Sequence, residues 1–441
     1  MVGNEKARGA GHAEDLDSMV TEVAAEYVAR VAALDIGKAE LTACVRVPAA
    51  GQRSGGRRQQ MVRAYPTLAP DLLGLSDWLR VERVELVAME ATGDYWKPVY
   101  YLLEAEGHRV WLCNPKHVKN VPGRPKTDRL DAVWLAKVVE RGMCGPSLVH
   151  PKPIRQLQDL TRYRRSLVRE RTREKQRLEK LLEDSQVKLS SVISDVLGVS
   201  GRAMLEALIA GQRDPKVLAQ MARGSMRGKV GVLEQALTGH FEDHHARLAR
   251  RMLDRIDALS LDIAGLDAEI EAVVAPFQDL IDLLNQIPGV NARSAQELIA
   301  EIGIDMTRFP TPAHLVSWAK FAPIAKTSAG RGTHGGKTGK GNPWLAGTLG
   351  EIVAGAGKTH TFLGARYRRL ASRRGKDRAI VAVGNSVLKS VWHLLSNPDQ
   401  SYNELGEGWY ENRRNHARRK AELIRQLQSL TGQQVFLQPA S

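Results

Sequence analysis

Cysteine is scarce. The 441 residues contain three, Cys44, Cys113 and Cys144. The number is odd and the spacing pairs none of them, so neither a disulfide framework nor a structural zinc site is expected. Cys44 and Cys113 fall in strand-like segments and read as buried thiols, which suits a reducing cytoplasm. Long apolar runs are missing as well. No stretch reaches the roughly 18 apolar residues of a membrane span, and the first residues carry no signal-peptide pattern. Membrane insertion is therefore not expected. An ATP-binding loop is missing too. Gly336-Lys337-Thr338 has Arg331 where a Walker loop needs its first glycine, and Gly357-Lys358-Thr359 has Ile352 there. Neither follows a strand-like run, so ATP binding is excluded.

What the chain has in excess is positive charge, a net +15. That balance asks for a polyanionic partner, and without a membrane segment nucleic acid is the leading class. Hydrophobic residues make up 43% of the chain, enough for real cores, and the length allows two or three domains.

Residues 1–28 read as a poorly ordered arm rich in small and polar residues. Residues 31–38 then read as a buried strand ending on Asp35 and Gly37. Strands follow at 40–47 and 60–65, with a Gly- and Arg-rich turn at 51–58 between them. A short helix at 71–80 precedes a fourth strand, 84–91, which again closes on an acid, Glu90. Residues 95–106 read as a helix and 108–113 as a fifth strand, closed by Asn114-Pro115. This order implies a mixed α/β sheet, in which ligands gather at the carboxyl ends of strands.

A polar loop, 116–125, leads into Lys126-Thr127-Asp128-Arg129-Leu130-Asp131. Asp128 and Asp131 are three apart, so a helix sets both carboxylates on one face. Alone, the pair also suits a solvated helix start, where acids favour the dipole. With Asp35 and Glu90 it makes four acids converging on one sheet edge. Two Mg²⁺ ions would compensate them and keep positions open for phosphate. Asp94, in the turn beyond the fourth strand, is the rival for Glu90.

Residues 155–183 form a long charged helix. Leu157, Leu160, Leu167, Leu178 and Leu181 fit a heptad that Arg164, Arg171 and Glu174 interrupt. It reads either as a solvated bundle helix or as a phosphate-tracking one. A helical cluster is expected at 190–217. In 248–273, Met252, Ile256, Leu259, Ile263, Leu266, Ile270 and Val273 alternate four and three apart, a seam that separates domains, joins subunits or packs antiparallel on 155–183. Residues 281–303 resemble a helix-hairpin-helix, a phosphate-holding motif. Asn291 stands at the usual second glycine, since Asn tolerates a left-handed backbone. A glycine-rich basic loop follows, with no acid between Trp318 and Asn342. Such a loop can approach a phosphate backbone closely, and Ser328 is its notable hydroxyl. Residues 379–395 read as a core helix and 413–425 as a basic one.

Taken in order, several pieces resemble the DEDD transposases of insertion-sequence family one-hundred-and-ten, relatives of the Piv site-specific invertase. They are Leu34-Asp35-Ile36-Gly37-Lys38, Met89-Glu90-Ala91-Thr92-Gly93, Asn114-Pro115-Lys116 through Asp128, Asp131-Ala132, Ile287-Pro288-Gly289, and Ser328 through Gly341-Asn342. The resemblance runs from about residue 32 to about residue 395.

It implies an α/β plus α fold: a RuvC-like (ribonuclease-H-type) mixed sheet domain, long coiled-coil helices and a mainly helical transposase domain. The boundaries expected are 29–150, 151–278 and 279–400, with a basic tail at 401–441. Asp35, Glu90, Asp128 and Asp131 would be the catalytic, Mg²⁺-binding tetrad and Ser328 the nucleophile, although the family's Ser-Gly is Ser328-Ala329-Gly330 here and Thr327 stands beside it. Lys116, Lys119, Arg124, Lys126, Arg293, Lys326, Arg331, Lys337, Lys340 and Asn342 are the expected nucleic-acid contacts. The implied partners are donor and target double-stranded DNA, a structured non-coding bridge RNA and further copies of the chain, as a dimer or tetramer. The place implied is cytoplasmic and nucleoid-associated. Tetrad and serine are expected to meet in one composite site. A hydrolytic nuclease with the same tetrad, and a non-catalytic nucleic-acid-binding protein, are the competing functions.

Overall fold

The computed structural model describes residues 28–49, 58–91, 93–114, 128–323, 327–328, 331–332, 338–412 and 416–434; at 128–129, 327–328, 331–332, 411–412 and 416–419 it describes the backbone alone. Residues 1–27 of the expected arm, 51–57 of the expected turn and the loop at 116–125 lie outside these residues, while Val28 is buried and Arg58 begins a strand. The chain divides into two compact units, Met1–Val149 and His150–Ser441.

The first unit is built on a five-stranded sheet in the order β3-β2-β1-β4-β5. Strands β1 (Val31–Ile36), β2 (Glu40–Pro48) and β3 (Arg58–Pro66) form an antiparallel meander. Gly37 makes the β1–β2 turn tight: its amide donates to the Glu40 carbonyl at 2.9 Å, and a Cβ there would meet that oxygen at the same distance. Strand β4 (Leu86–Glu90) runs parallel to β1, and β5 (Val110–Cys113) parallel to β4. Helices α1 (Ala69–Val81) and α2 (Trp96–Ala105) supply the crossovers.

Side chains alternate across the sheet. Ala32, Leu34, Val87 and Met89 join the core under α1 and α2, with Leu75, Leu79, Val99 and Leu103. Val31, Ala33, Leu86 and Ala88 face the other way, against Ala132, Leu135, Ala136 and Val139 of helix α3 (Asp128–Glu140). All three cysteines are free thiols buried on the α3 side. Burial pushes the Cys44 thiol up to about 11, which leaves it unreactive at neutral pH.

The second unit is helical. Helix α4 (Lys152–Asp184) leads to a cluster of short helices, including α5 (Val199–Ile209), and α6 (Asp243–Val274) returns antiparallel to α4. The antiparallel sense is fixed by pairs with nearly constant number sum: Arg164 with Asp267, Arg171 with Ser260 at 3.3 Å, and Glu174 with Arg255 at 3.8 Å. The charges that interrupt the α4 heptad are thus met from α6. On α6, Ile256, Leu259, Ile263 and Ile270 are buried as the alternation predicts. Leu253 and Val274 are buried instead of Met252 and Val273. Leu253 shares a core cluster with Met204, Leu205 and Leu208 of α5, and Met252 packs partly against that cluster.

Helices α7 (Gln278–Asn285) and α8 (Ala292–Ile302), joined by a turn, occupy the stretch read as a helix-hairpin-helix. Here the structure corrects the reading of Asn291. Its backbone is extended, φ −121° and ψ 171°, and its side chain caps α8 by accepting the Ser294 amide at 2.9 Å. The left-handed residue is Gly289, φ +89°. That turn packs on α10 (Pro343–Ala356), where a Cβ on Gly289 would lie 2.3 Å from the Ile352 carbonyl.

Helix α9 (Pro312–Trp318) precedes the glycine-rich loop, and α11 (Phe362–Arg374) and α12 (Lys376–Ser396) follow α10. Helix α12 is long and apolar enough to cross a membrane by length and composition. Here it is a packing hub: Val383, Val387, Leu388 and Val391 are fully buried, against α9, α10 and α11. The basic helix expected at 413–425 overlaps α13 (His416–Thr431), and 413–415 lie outside the described residues.

Two outcomes follow. Gly289→Ala combines a strained φ with a backbone clash and should destabilise the second unit by more than about 2 kcal/mol, read as a lower urea midpoint. Burial, aided by the Arg308 and Arg162 charges, holds the His150 imidazole below its ordinary 6.5 despite its bond to the Glu301 carbonyl. As pH falls below about 6.5 the unfolded chain takes up a proton that the folded one refuses. Stability should therefore drop from pH 7 to pH 5.5 and should drop less in His150→Gln.

Candidate active site

Asp35 and Glu90 occupy equivalent places. Parallel pairing aligns Leu34 with Met89, so the next residues, Asp35 and Glu90, stand side by side at the carboxyl ends of adjacent strands. Such strands are about 4.8 Å apart. By alternation both carboxylates fall on the face that Val31, Ala33, Leu86 and Ala88 share, the face covered by α3. Asp35, Glu90 and Asp131 are all half-buried. Glu90 is also aligned with Cys113, and its charge adds to the burial and thiol contact that raise the Cys113 pKa; the Cys113 and Cys144 sulfurs are 3.5 Å apart. Asp128 is the first residue of α3, and its side chain lies outside the described residues. The structure therefore brings together one sheet edge and one helix carrying Asp35, Glu90 and Asp131. Asp94 is exposed and ion-pairs with Lys97 at 3.0 Å, in the turn beyond β4.

Helix α3 is held by a residue that the sequence reading did not single out. Glu140, at its last position, is buried and accepts from Arg46 Nε at 2.7 Å and Arg58 Nε at 3.0 Å. These guanidiniums come from β2 and β3, so the helix end is fixed to the sheet by charge as well as by apolar packing. A half-buried, all-oxygen group of carboxylates at a sheet edge fits a hard divalent cation. The group whose ligand atoms lie within 4.8 Å of one another among the described residues is a different one, Glu242, His244 and His245 at the start of α6. It is a helix cap: the Glu242 amide donates to His245 Nδ1 at 3.1 Å, and the Glu242 side chain accepts the His245 amide.

In the second unit, Ser328 lies in a two-stranded hairpin, β6 (Thr327–Ser328) with β7 (Arg331–Gly332), where Ser328 pairs with Arg331. The side chains of Ser328 and Arg331 are outside the described residues, as are Lys116, Lys119, Arg124, Lys126, Lys326 and Lys337. Lys340 is exposed. Arg293 is exposed in the first turn of α8, 3.7 Å from Asp267. The exit of the glycine-rich loop is fixed against protein, where a Cβ on Gly341 would lie 2.6 Å from the Ala319 carbonyl. Asn342 ends it. Its Oδ1 accepts the Trp344 amide at 2.9 Å and the Leu345 amide at 3.4 Å, capping α10, while its Nδ2 donates to Glu301.

Glu301 is 3% exposed and would be costly there unpaired. Arg162 of α4 meets it with two bonds of 2.8 Å, and Gln158 donates to it at 3.2 Å. One turn earlier on α8, Glu297 accepts from Arg165 at 2.7 Å and from Thr348 of α10. The matched spacings, Arg162 and Arg165 on one helix and Glu297 and Glu301 on the other, were the available sequence signal for this lattice.

Comparison with known proteins bears on both units. A transposase model of the DEDD IS110 type matches residues 32–186. A second model, described as the transposase IS116/IS110/IS902 family, matches residues 281–367. The chain belongs to the IS110 family of transposases. The transposase for insertion sequence element IS1111A of Coxiella burnetii is 26% identical over 71% of this chain and 78% of its own length. An insertion element IS110 uncharacterized protein of Streptomyces coelicolor is 42% identical over 16% of this chain, a match spanning only 17% of that protein. The pilin gene-inverting protein of Moraxella bovis is 31% identical over 20% of this chain and 29% of its own length. The first family match covers β1 to the end of α4, and the second begins in α7 and ends in α11, so both contain expected site residues.

Asn342→Ala removes the α10 cap and one donor to buried Glu301. It should lower the stability of the second unit by about 2 kcal/mol, measured by urea unfolding, with the first unit unaffected.

Proposed function

We propose that this transposase cuts and rejoins DNA through serine attack on phosphate, assisted by a RuvC-like carboxylate site and guided by a structured non-coding RNA. The observation that carries the reading is the pairing of Asp35 with Glu90 at adjacent parallel strand ends, on the sheet face that α3 covers. Asp35, Glu90, Asp128 and Asp131 would hold Mg²⁺, which when bound supplies charge neutralisation at the scissile phosphate. Ser328 Oγ gives up its proton to solvent and attacks phosphorus; its P–O bond forms as the bond to the departing sugar oxygen breaks, and that oxygen takes up a proton from solvent, so none is consumed overall. The phosphoserine link keeps a phosphate ester in place of the one broken, so strands are rejoined to a new partner without ATP.

Two-stranded pairing beside a glycine-rich segment suits Ser328 to this role, because the flanking backbone can approach a phosphate without side-chain obstruction. The exposed Lys340 and Arg293 supply cations for the DNA backbone. The net charge of +15 supports polyanionic partners, and the RNA follows from family membership. The pilin gene-inverting relatives are consistent with recombination of DNA segments.

The deciding experiment is a covalent trap. Protein purified with its bound RNA is incubated with Mg²⁺ and labelled element-end DNA, denatured and resolved on a gel, alongside Ser328→Ala and Asp128→Ala. A wild-type adduct that both variants lose, with DNA binding retained, is the expected result. Free DNA ends without an adduct would make the chain a hydrolytic nuclease, and full activity of Ser328→Ala would end the serine mechanism.

A further inference from the structure

The α4–α6 pair carries a basic face that the chemistry above does not use. On α4, Arg162, Arg169, Arg173 and Arg177 recur at 7, 4 and 4 residues, which keeps them on one stripe of a helix. From Arg162 to Arg177 the stripe rises about 22 Å. Glu170, Arg173 and Arg177, with Arg255 from α6, line a cleft of about 280 Å³. Its guanidiniums are presented to solvent, the Arg177 side chain 57% and the Arg255 side chain 60% exposed. They are also oriented. Glu174 is buried between the helices, pairs with Arg177 and lies 3.8 Å from Arg255. Arg173 has no ion-pair partner among the described residues.

The upper end of the stripe meets the first turn of α10. Arg162 lies 5.8 Å and Arg169 5.1 Å from the centre of the Trp344 ring, two residues beyond Asn342. We infer that this face of the helical hairpin is a docking surface for the sugar-phosphate backbone of duplex DNA, entering at Trp344 and running down α4 across the Arg173–Arg177–Arg255 cleft. The class of ligand follows from three features. Guanidiniums grip phosphate oxygens in a forked geometry. Arg162 is committed to Glu301, so the remaining stripe from Arg169 to Arg177 rises about 12 Å and spans some three or four phosphate steps of one strand, whereas a small anion needs only the cleft. A surface read through phosphates carries no sequence preference, so it holds the flanking duplex without restricting the target. The inference rests on the reading that the chain acts on DNA.

The test uses the full-length chain and a labelled 40-bp duplex of random sequence, followed by fluorescence anisotropy from low to moderate salt. Arg173→Gln/Arg177→Gln/Arg255→Gln should bind roughly tenfold more weakly at about 0.1 M salt, with the log–log salt slope reduced by two to three. The triple lysine variant should recover most of that slope. Arg173→Gln alone leaves the pairs of Glu174 intact and should lower the slope by about one, so a folding defect cannot mimic the effect. Unchanged affinity and slope in both glutamine variants, with the wild type binding the duplex, overturns the docking surface and leaves the DNA reading standing. No binding of the duplex by the wild type overturns both. A loss confined to an RNA hairpin of equal length, with DNA unaffected, overturns the assignment to DNA.

Discussion

A carboxylate taken out of water must bring a counter-charge with it, and this constraint organises both units. Removing one partner of such a buried pair typically costs 3–5 kcal/mol, because the survivor is left charged and dry. Glu140 satisfies it with Arg46 and Arg58, and thereby fixes the end of α3 to strands β2 and β3. Glu297 and Glu301 satisfy it with Arg165 and Arg162, and thereby lock α8 onto α4. Glu174 does so between α4 and α6. In each case a pair joins segments far apart in sequence. Apolar packing gives these helices their faces, but it is non-directional. The forked ion pairs specify where along its axis each helix stops sliding.

That precision would serve the proposed phosphoryl-transfer site, since such sites work by positioning and charge. On the sheet side, parallel register sets Asp35 beside Glu90, and Glu140 fixes the helix that bears Asp131. On the loop side, Asn342 is held from two directions, by the amides of α10 and by Glu301. The glycine-rich segment is thus anchored firmly at its exit. Gly341 illustrates the division of labour: its missing side chain admits the protein's own Ala319 carbonyl.

Much of this was legible in the sequence. Apolar runs closing on Asp35 and Glu90 located two strand ends, and the order of elements located the sheet, because those signals are local and periodic. The long helices were equally plain. Their pairing was not, since the complements of Arg164 and Glu174 lie some eighty to one hundred residues away and no local pattern names them. Asn291 was misread for a related reason. A turn motif fixes which residues are adjacent, but not which of them takes the left-handed backbone; packing of the turn on α10 assigns that to Gly289 and leaves Asn291 free to cap. Nothing local to Glu140 or Glu301 distinguishes them from helix-surface acids, because burial is a property of what arrives from elsewhere in the chain.

The antiparallel course of α4 and α6 has one more consequence. The chain goes out along one arm and comes back along the other, so the whole excursion begins and ends beside the same helical core, near Arg162 and Asp267. The hairpin is therefore a removable length in the architecture: equal stretches taken from both arms at matching levels would shorten the reach of its tip and leave the anchoring lattice where it stands. Seen this way, the second unit is a fixed base with a ruler attached. The span between its core and its distal helices is a quantity that evolution could adjust without touching the reacting groups.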